Sequence, residues 1–238
     1  MKQGVKNRIQ LIDAARGICV LLMVLHHLMY DLVVFLGFPE WIFTNPVLDI
    51  LHYFFAGLFI FISGIASDFS RSNVKRGLLC LAAALAITLV TWLMDMIIVF
   101  GILHFLGFCM VFYGLTYKLW DAIPRKIAPV LYLILLAASA FIVNRYGSFV
   151  ESRWLWMFGF VYNGFSSADY FPILPWIFVF LAGTWLGKYI KEGKMPDKFY
   201  TAKVPYFPSI GRKALIIYII HQPVLYAATM LIAKMLDK

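Results

Sequence analysis

The chain has 238 residues, 63% of them hydrophobic and only 14% charged, with a formal net charge of +9. An ordinary soluble domain carries about 25% charged residues, so this composition excludes one and points to an integral, multi-helix membrane protein. The positive balance follows membrane topology rather than a nucleic-acid-binding face, and no nucleic-acid partner is expected.

The opening "MKQGVKNRIQLIDAARG" is basic, lacks a small-residue cleavage pattern, and has Asp13 and Arg16 interrupting its apolar character. It reads as a retained first helix, not a signal peptide. Seven apolar spans follow at roughly 9–36, 47–67, 77–95, 96–116, 127–144, 171–190 and 210–234, each near the length of about 20 residues that crosses a bilayer. The third and fourth are expected to join at a tight turn near Asp95. Residues 145–170, rich in Trp, Tyr and Gly, read as an interfacial or re-entrant piece and not an eighth span. The expectation is an all-α polytopic bundle forming one membrane domain over residues 1–238. Cys19, Cys80 and Cys109 all fall in spans, which argues against a disulfide framework.

The basic segments "MKQGVKNR", "SRSNVKR", "YKLWDAIPRK" and "KYIKEGKMPDKFYTAKVPYFPSIGRK" alternate with weakly basic connections. The positive-inside rule then puts the N-terminus in the cytoplasm and the C-terminus outside. Contact with anionic lipids is the plain reading of these loops.

All five histidines, His26, His27, His52, His104 and His221, lie in predicted spans. Ionisable groups at that depth are expensive and mark functional candidates, against the plainer role of hydrogen-bonding a neighbouring helix. At about 100° per residue, Asp13, Arg16, Gly17, Val20, Val24, His27 and Asp31 share one stripe of the first helix. Such a stripe reads as facing a cavity, not lipid. His26 lies off it and reads as a packing or neighbour-helix contact. On the second helix Asp49, His52, Ala56, Ser63 and Ser67 share a face, and Asp49 with His52 forms an acid–imidazole candidate. Small residues there also serve plain helix packing. Gly101 and Gly107 flank His104, suggesting close backbone packing. His221 precedes Pro223, a residue able to break or kink the last helix.

Two chemistries therefore lie along the bundle. Arg8, Arg16, Arg71, Lys75, Arg76, Arg212 and Lys213 make a cationic inner end, suited to a polyphosphate donor because arginine binds phosphate bidentately. The histidines and carboxylates lie at middle-to-outer depth, suited to taking a proton from a hydroxyl or amine. Transmembrane group transfer fits both ends. A proton-coupled transporter is the first alternative, although no repeat-related pair of broken helices is visible. A haem-binding electron-transfer protein, with His27 opposite His52 or His104, is the second. No metal is expected, because no close Cys/His ligand spacing is present.

"LIDAARGICVLLMVLHH" resembles the D-x-x-R-G opening of transmembrane acyltransferases, with His27 in the place of the acyltransferase-three histidine. "FFAGLFIFISGIASDFSRS" resembles their second helix, and "SIGRKALIIYIIHQPVL" a terminal helix ending in an H-Q-P-like sequence. Together with "VKRGLLCL" and "FGILHFLGF", the pattern is most similar to bacterial members of the heparan-alpha-glucosaminide N-acetyltransferase catalytic-domain family, over roughly residues 8–115 and 208–227.

This resemblance implies a multi-pass enzyme of the bacterial cytoplasmic membrane. It would move an acetyl group from cytosolic acetyl-CoA to a sugar or amino-sugar acceptor on the far side, with a homodimer admitted as a partner state. It makes His27 the leading catalytic base, positioned by Asp31, Asp49 or His52. Arg16, Arg71, Arg76 and Arg212 would hold the donor, and Ser63 or His221 would steady the developing oxyanion. The lysosomal branch carries asparagine in the place of His27, which keeps His52 open as the base. The chain is also shorter than most relatives. Direct transfer and an acetyl-histidine intermediate both stay open.

Overall fold

The structure is a computed structural model that describes residues 8–93, 96–147, 149–150 and 153–236. The described residues are helical with no strand, and seven of the helices are long and apolar enough to cross a membrane. Two compact units are present: one built from the described residues up to Ile62 with Met195 onward, the other from Ser63–Lys194.

The first unit contains α1 (Gln10–Leu36), the beginning of α2 (Pro46–Asp68), the short α7 (Asp197–Thr201) and α8 (Phe207–Arg212), and α9 (Ala214–Met235). Gly37 ends α1 in the left-handed region at φ 67°, its N–H bonded to the Leu32 carbonyl. This is the terminus that glycine permits without steric cost. Asn45 then starts α2, its side-chain oxygen accepting the Val47 N–H at 2.9 Å, with Pro46 as the first helical residue.

α1 packs on α8 and α9. Its joint with α8 is a backbone contact. A Cβ on Gly17 would run into the Phe207 carbonyl and the Gly211 amide, and one on Gly211 would overlap the Asp13 carbonyl. The last span starts later than the expected residue 210, because α8 stops at Arg212 and the chain turns at Lys213 before α9 begins at Ala214. α9 runs through Pro223 as one helix and is not broken there.

The second unit holds the end of α2 with α3 (Asn73–Leu93), α4 (Ile102–Asp121), α5 (Ala128–Tyr146) and α6 (Ile173–Lys191). Small residues again set the spacing: a Cβ on Gly77 would lie 2.7 Å from both the Gly107 carbonyl and Val111 Cγ2, so α3 and α4 touch through backbone.

The fourth span differs most from its expected bounds of 96–116, since α4 begins only at Ile102. The reason is tertiary. Residues 96–101 are held in a non-helical path by the segment leading into α6. Val99 N–H donates to Ser167 Oγ at 2.9 Å, Ala168 N–H to Ile97 O at 3.2 Å and Phe171 N–H to Phe100 O at 3.0 Å. Asp169 Oδ2 accepts the Ile102 N–H at 3.0 Å and so caps α4 from 67 residues away. The turn expected near Asp95 lies outside the described residues.

Between α5 and α6 no described helix is long enough to span, consistent with the reading of residues 145–170 as something other than an eighth span. A ring cluster organises this part. Trp156 stacks on Phe165 at 5.7 Å, Phe165 meets Tyr170 at 4.9 Å, and the Tyr170 hydroxyl donates to the Trp156 carbonyl.

Candidate active site

Helical geometry builds the site in the first unit from α1 outward. Asp13, Gly17, Val20 and Asp31 are the buried members of the α1 stripe. Its first part packs on α8, and its second part faces α9. His27 and Asp31 are four residues apart and so stack on one helical face. Opposite them α9 supplies His221 and Gln222. The His27 and His221 rings lie 4.9 Å apart between centroids, and Gln222 Nε2 donates to Asp31 Oδ1 at 2.9 Å.

Burial makes this cluster unusual. Asp31 is 0% exposed and His221 9% exposed. His221 Nδ1 lies 2.6 Å from the Tyr218 carbonyl. That oxygen can only accept, so Nδ1 carries the hydrogen and the neutral ring presents a lone pair at Nε2. Asp31 Oδ2, His221 Nε2 and Gln222 Oε1 are all buried without a hydrogen-bond partner.

His26, read from the sequence as a packing or neighbour-helix contact, meets His52 of α2 at 4.2 Å between centroids, the rings tilted by 31°. It also meets Phe43 at 4.9 Å and His27 at 6.2 Å. His52, His26, His27 and His221 thus form a continuous file of imidazoles. Asp49 sits three residues before His52, exposed in the first turn of α2.

Toward the other end of α1, Arg16 Nη1 donates to the buried Asp13 Oδ1 at 3.0 Å, and Arg8 Nε approaches Asp13 Oδ2 at 3.9 Å. The D-x-x-R-G sequence therefore does two local jobs: Asp13 anchors Arg16, and Gly17 admits α8. Arg212 directly follows Gly211 and is exposed.

Ser63, Arg71 and Arg76 belong to the second unit. The Ser63 carbonyl accepts from Ser67 Oγ at 3.0 Å, Arg71 is exposed, and Arg76 Nη1 reaches the Ala66 carbonyl at 3.4 Å. His104, also in this unit, has a bracing contact. The Thr88 hydroxyl donates to the Ile98 carbonyl at 2.6 Å, so at 3.1 Å it accepts from His104 Nε2. That bond ties α3 to α4 and to the non-helical segment between them.

Outside the span helices, two groups show what the polar ends do electrostatically. Glu192 is bonded by Nη1 and Nη2 of Arg125 and by Lys194 Nζ at 2.7 Å. Arg125 first, then Lys194, pull its carboxyl down to about 2. Burial pushes the Tyr170 phenol up to about 12.

Gln222 was the residue the sequence undersold. It was visible as part of "IYIIHQPVL", but its signal, an amide beside a histidine in an apolar span, gives no partner until α1 is placed alongside. Among the described residues no group of His, Cys, Asp and Glu is arranged to hold a metal ion.

The family model for the catalytic domain of heparan-alpha-glucosaminide N-acetyltransferase matches residues 8–223. No curated protein and no solved structure matches the chain significantly. The matched stretch runs from the start of the D-x-x-R-G helix through Pro223, so it contains His27, Asp31, His221 and Gln222 together. The chain belongs to the heparan-alpha-glucosaminide N-acetyltransferase catalytic-domain family, a family of membrane acetyltransferases.

Proposed function

We propose that the whole chain works as one acyltransferase domain, passing an acetyl group from cytosolic acetyl-CoA to a sugar or amino-sugar acceptor on the opposite side of the membrane. The bacterial cytoplasmic membrane is the proposed location, with the N-terminus inside. The observation that carries this reading is the His27–His221 pair beside buried Asp31, within a chain matched to an acetyltransferase family.

In the proposed reaction His27 removes a proton from the acceptor hydroxyl or amine, and the freed lone pair attacks the thioester carbonyl. The tetrahedral intermediate collapses with cleavage of the C–S bond. The departing CoA thiolate then takes up the proton held by the imidazolium, so base and charge are both restored. His52 stays the second choice of base, reached from His27 through the intervening His26. Asp31 orients the seam through Gln222, and Asp49 is the carboxylate available to His52. Arg16 and Arg212, both in the first unit, are the proposed donor contacts on their motif positions. Arginine suits the CoA phosphates through its paired donors.

The test uses purified protein in nanodiscs with radiolabelled acetyl-CoA and glucosamine. Covalent label on the sugar supports acetyl transfer. Sugar uptake into proteoliposomes without any acetylated product would move the chain to the transporter class. A Soret band would move it to the haem proteins.

A further inference from the structure

The turn leading into α8 holds Tyr206 at φ 60° and ψ −61°, with the Phe207 N–H bonded to the Pro205 carbonyl at 2.7 Å. This is the γ-turn of positive φ, rare and strained, and a tyrosine there carries a steric cost that glycine would avoid. Its surroundings fix the strain. Before the turn, Val204 N–H donates to Gln10 Oε1 at the start of α1, at 3.1 Å. Within it, the Tyr206 carbonyl accepts from the Ser209 N–H at 3.1 Å and from the Ser209 hydroxyl. After it, Pro208 is buried and Gly211 lies against the Asp13 carbonyl.

The backbone is thus held, yet the Tyr206 residue it presents is 82% exposed. Strained residues kept in place by their neighbours cluster at ligand clamps. Packing gives no reason for this one.

The neighbours narrow what the ring can meet. Lys203, Arg212 and Lys213 flank it in sequence and are exposed, and the Arg8 side chain, just before α1, is 73% exposed. Asp13 is buried and bonded to Arg16. A cationic ligand, the usual guest of an open aromatic face, would be repelled by these charges. Inorganic phosphate or a lipid headgroup would use the arginines and leave the ring idle. A purine nucleotide uses both, because its base stacks on an aromatic face and its phosphates take guanidinium donors. The six residues of α8, which separate the ring from the Arg212 head, rise about 9 Å, the scale of one nucleotide.

We propose that Tyr206 is the stacking platform for the purine base of the donor nucleotide, with Arg212 on its phosphates. This rests on the acetyl-CoA reading and adds a residue that recognises the base, outside the D-x-x-R-G sequence.

The experiment measures binding by calorimetry on the full chain in nanodiscs of neutral lipid. The probes are acetyl-CoA, adenosine 3′,5′-bisphosphate and inorganic tripolyphosphate, which carries charge without a ring. The native chain should bind the bisphosphate more tightly than tripolyphosphate. Tyr206→Leu should weaken the bisphosphate and acetyl-CoA roughly tenfold or more and leave tripolyphosphate unchanged. Tyr206→Phe, which keeps the ring face, should restore all three affinities. Tyr206→Gly separates recognition from folding: it accepts the positive φ, so it should lose the bisphosphate at a native-like thermal midpoint.

Native-like bisphosphate affinity in Tyr206→Leu would overturn the platform, and is what a tyrosine that only anchors the chain in the lipid interface would give. Equal native affinity for bisphosphate and tripolyphosphate would overturn it too. If the native chain still binds acetyl-CoA, only the platform is lost. A native chain that binds neither acetyl-CoA nor the bisphosphate would sink the donor reading as well.

Discussion

Gln222 donates to Asp31 across 191 residues of sequence, at 2.9 Å, and so joins the two helices that carry His27 and His221. Water is scarce at that depth, and the fully buried Asp31 has this amide as its hydrogen-bond donor. Gln222→Leu should therefore destabilise the fold by about 1–2 kcal/mol, between the range for bonds to charged groups and the smaller values found inside membranes. Unfolding in mixed micelles measures it. The double variant Asp31→Leu with Gln222→Leu should lose less than the sum of the two single changes, because the first change removes the carboxylate that the second leaves stranded.

Gly17→Ala tests the joint between α1 and α8. The new methyl would meet the Phe207 carbonyl and the Gly211 amide, both backbone, so the helices must separate. A loss of about 1–3 kcal/mol is expected, typical of overpacking. Gly211→Ala should behave alike, since its methyl would overlap the Asp13 carbonyl. Cysteine cross-linking between α1 and α8 would read the separation directly.

Asp169→Ala should cost about 0.5–2 kcal/mol, the usual range for a lost helix cap. Asp169 accepts the first amide of α4 at Ile102 and sits beside Gly101. Hydrogen exchange should quicken in the first turn of α4 and spare the middle of the same helix.

These three sites differ in how far the sequence discloses them. Apolar runs gave the seven spans, and helical periodicity correctly grouped Asp13, Gly17 and Asp31 on the inward face of α1. Glycine at position 17 announced a close approach but not its partner. The start of α4 was misplaced because the apolar run just before it, residues 96–100, looks helical, and only the pairing with residues 167–171 holds it otherwise. His104 was a candidate by its depth alone, and its bracing bond to the Thr88 hydroxyl could not be read from the sequence. His26 and His52 lie on different helices, so no periodicity could reveal that their rings meet.

Acid should loosen the α6 end of the second unit through Glu192. Its folded pKa of about 2 lies below the ordinary value of 4.5, so its contribution is fully present above 4.5 and is lost as pH falls toward 2. The pair is substantially exposed, and solvent screening keeps that contribution small. Arg125→Met removes the larger cause, so the Glu192 titration should move up toward 4.5, as isotope-edited infrared spectra of the carboxylate would show. An unmoved titration would mean that Lys194 alone holds the charge.

The decisive measurement concerns His27. Acetyl-CoA-dependent turnover is compared among the native chain, His27→Ala and His52→Ala in matched nanodiscs, with acetyl-CoA binding as the check on folding. Loss of a general base lowers turnover by about 10²- to 10⁴-fold. That loss is expected for His27→Ala with donor binding retained, while His52→Ala keeps most of its activity. Native-like turnover in a folded His27→Ala protein would contradict the assignment, and a selective loss in His52→Ala would move the base to the α2 end of the imidazole file.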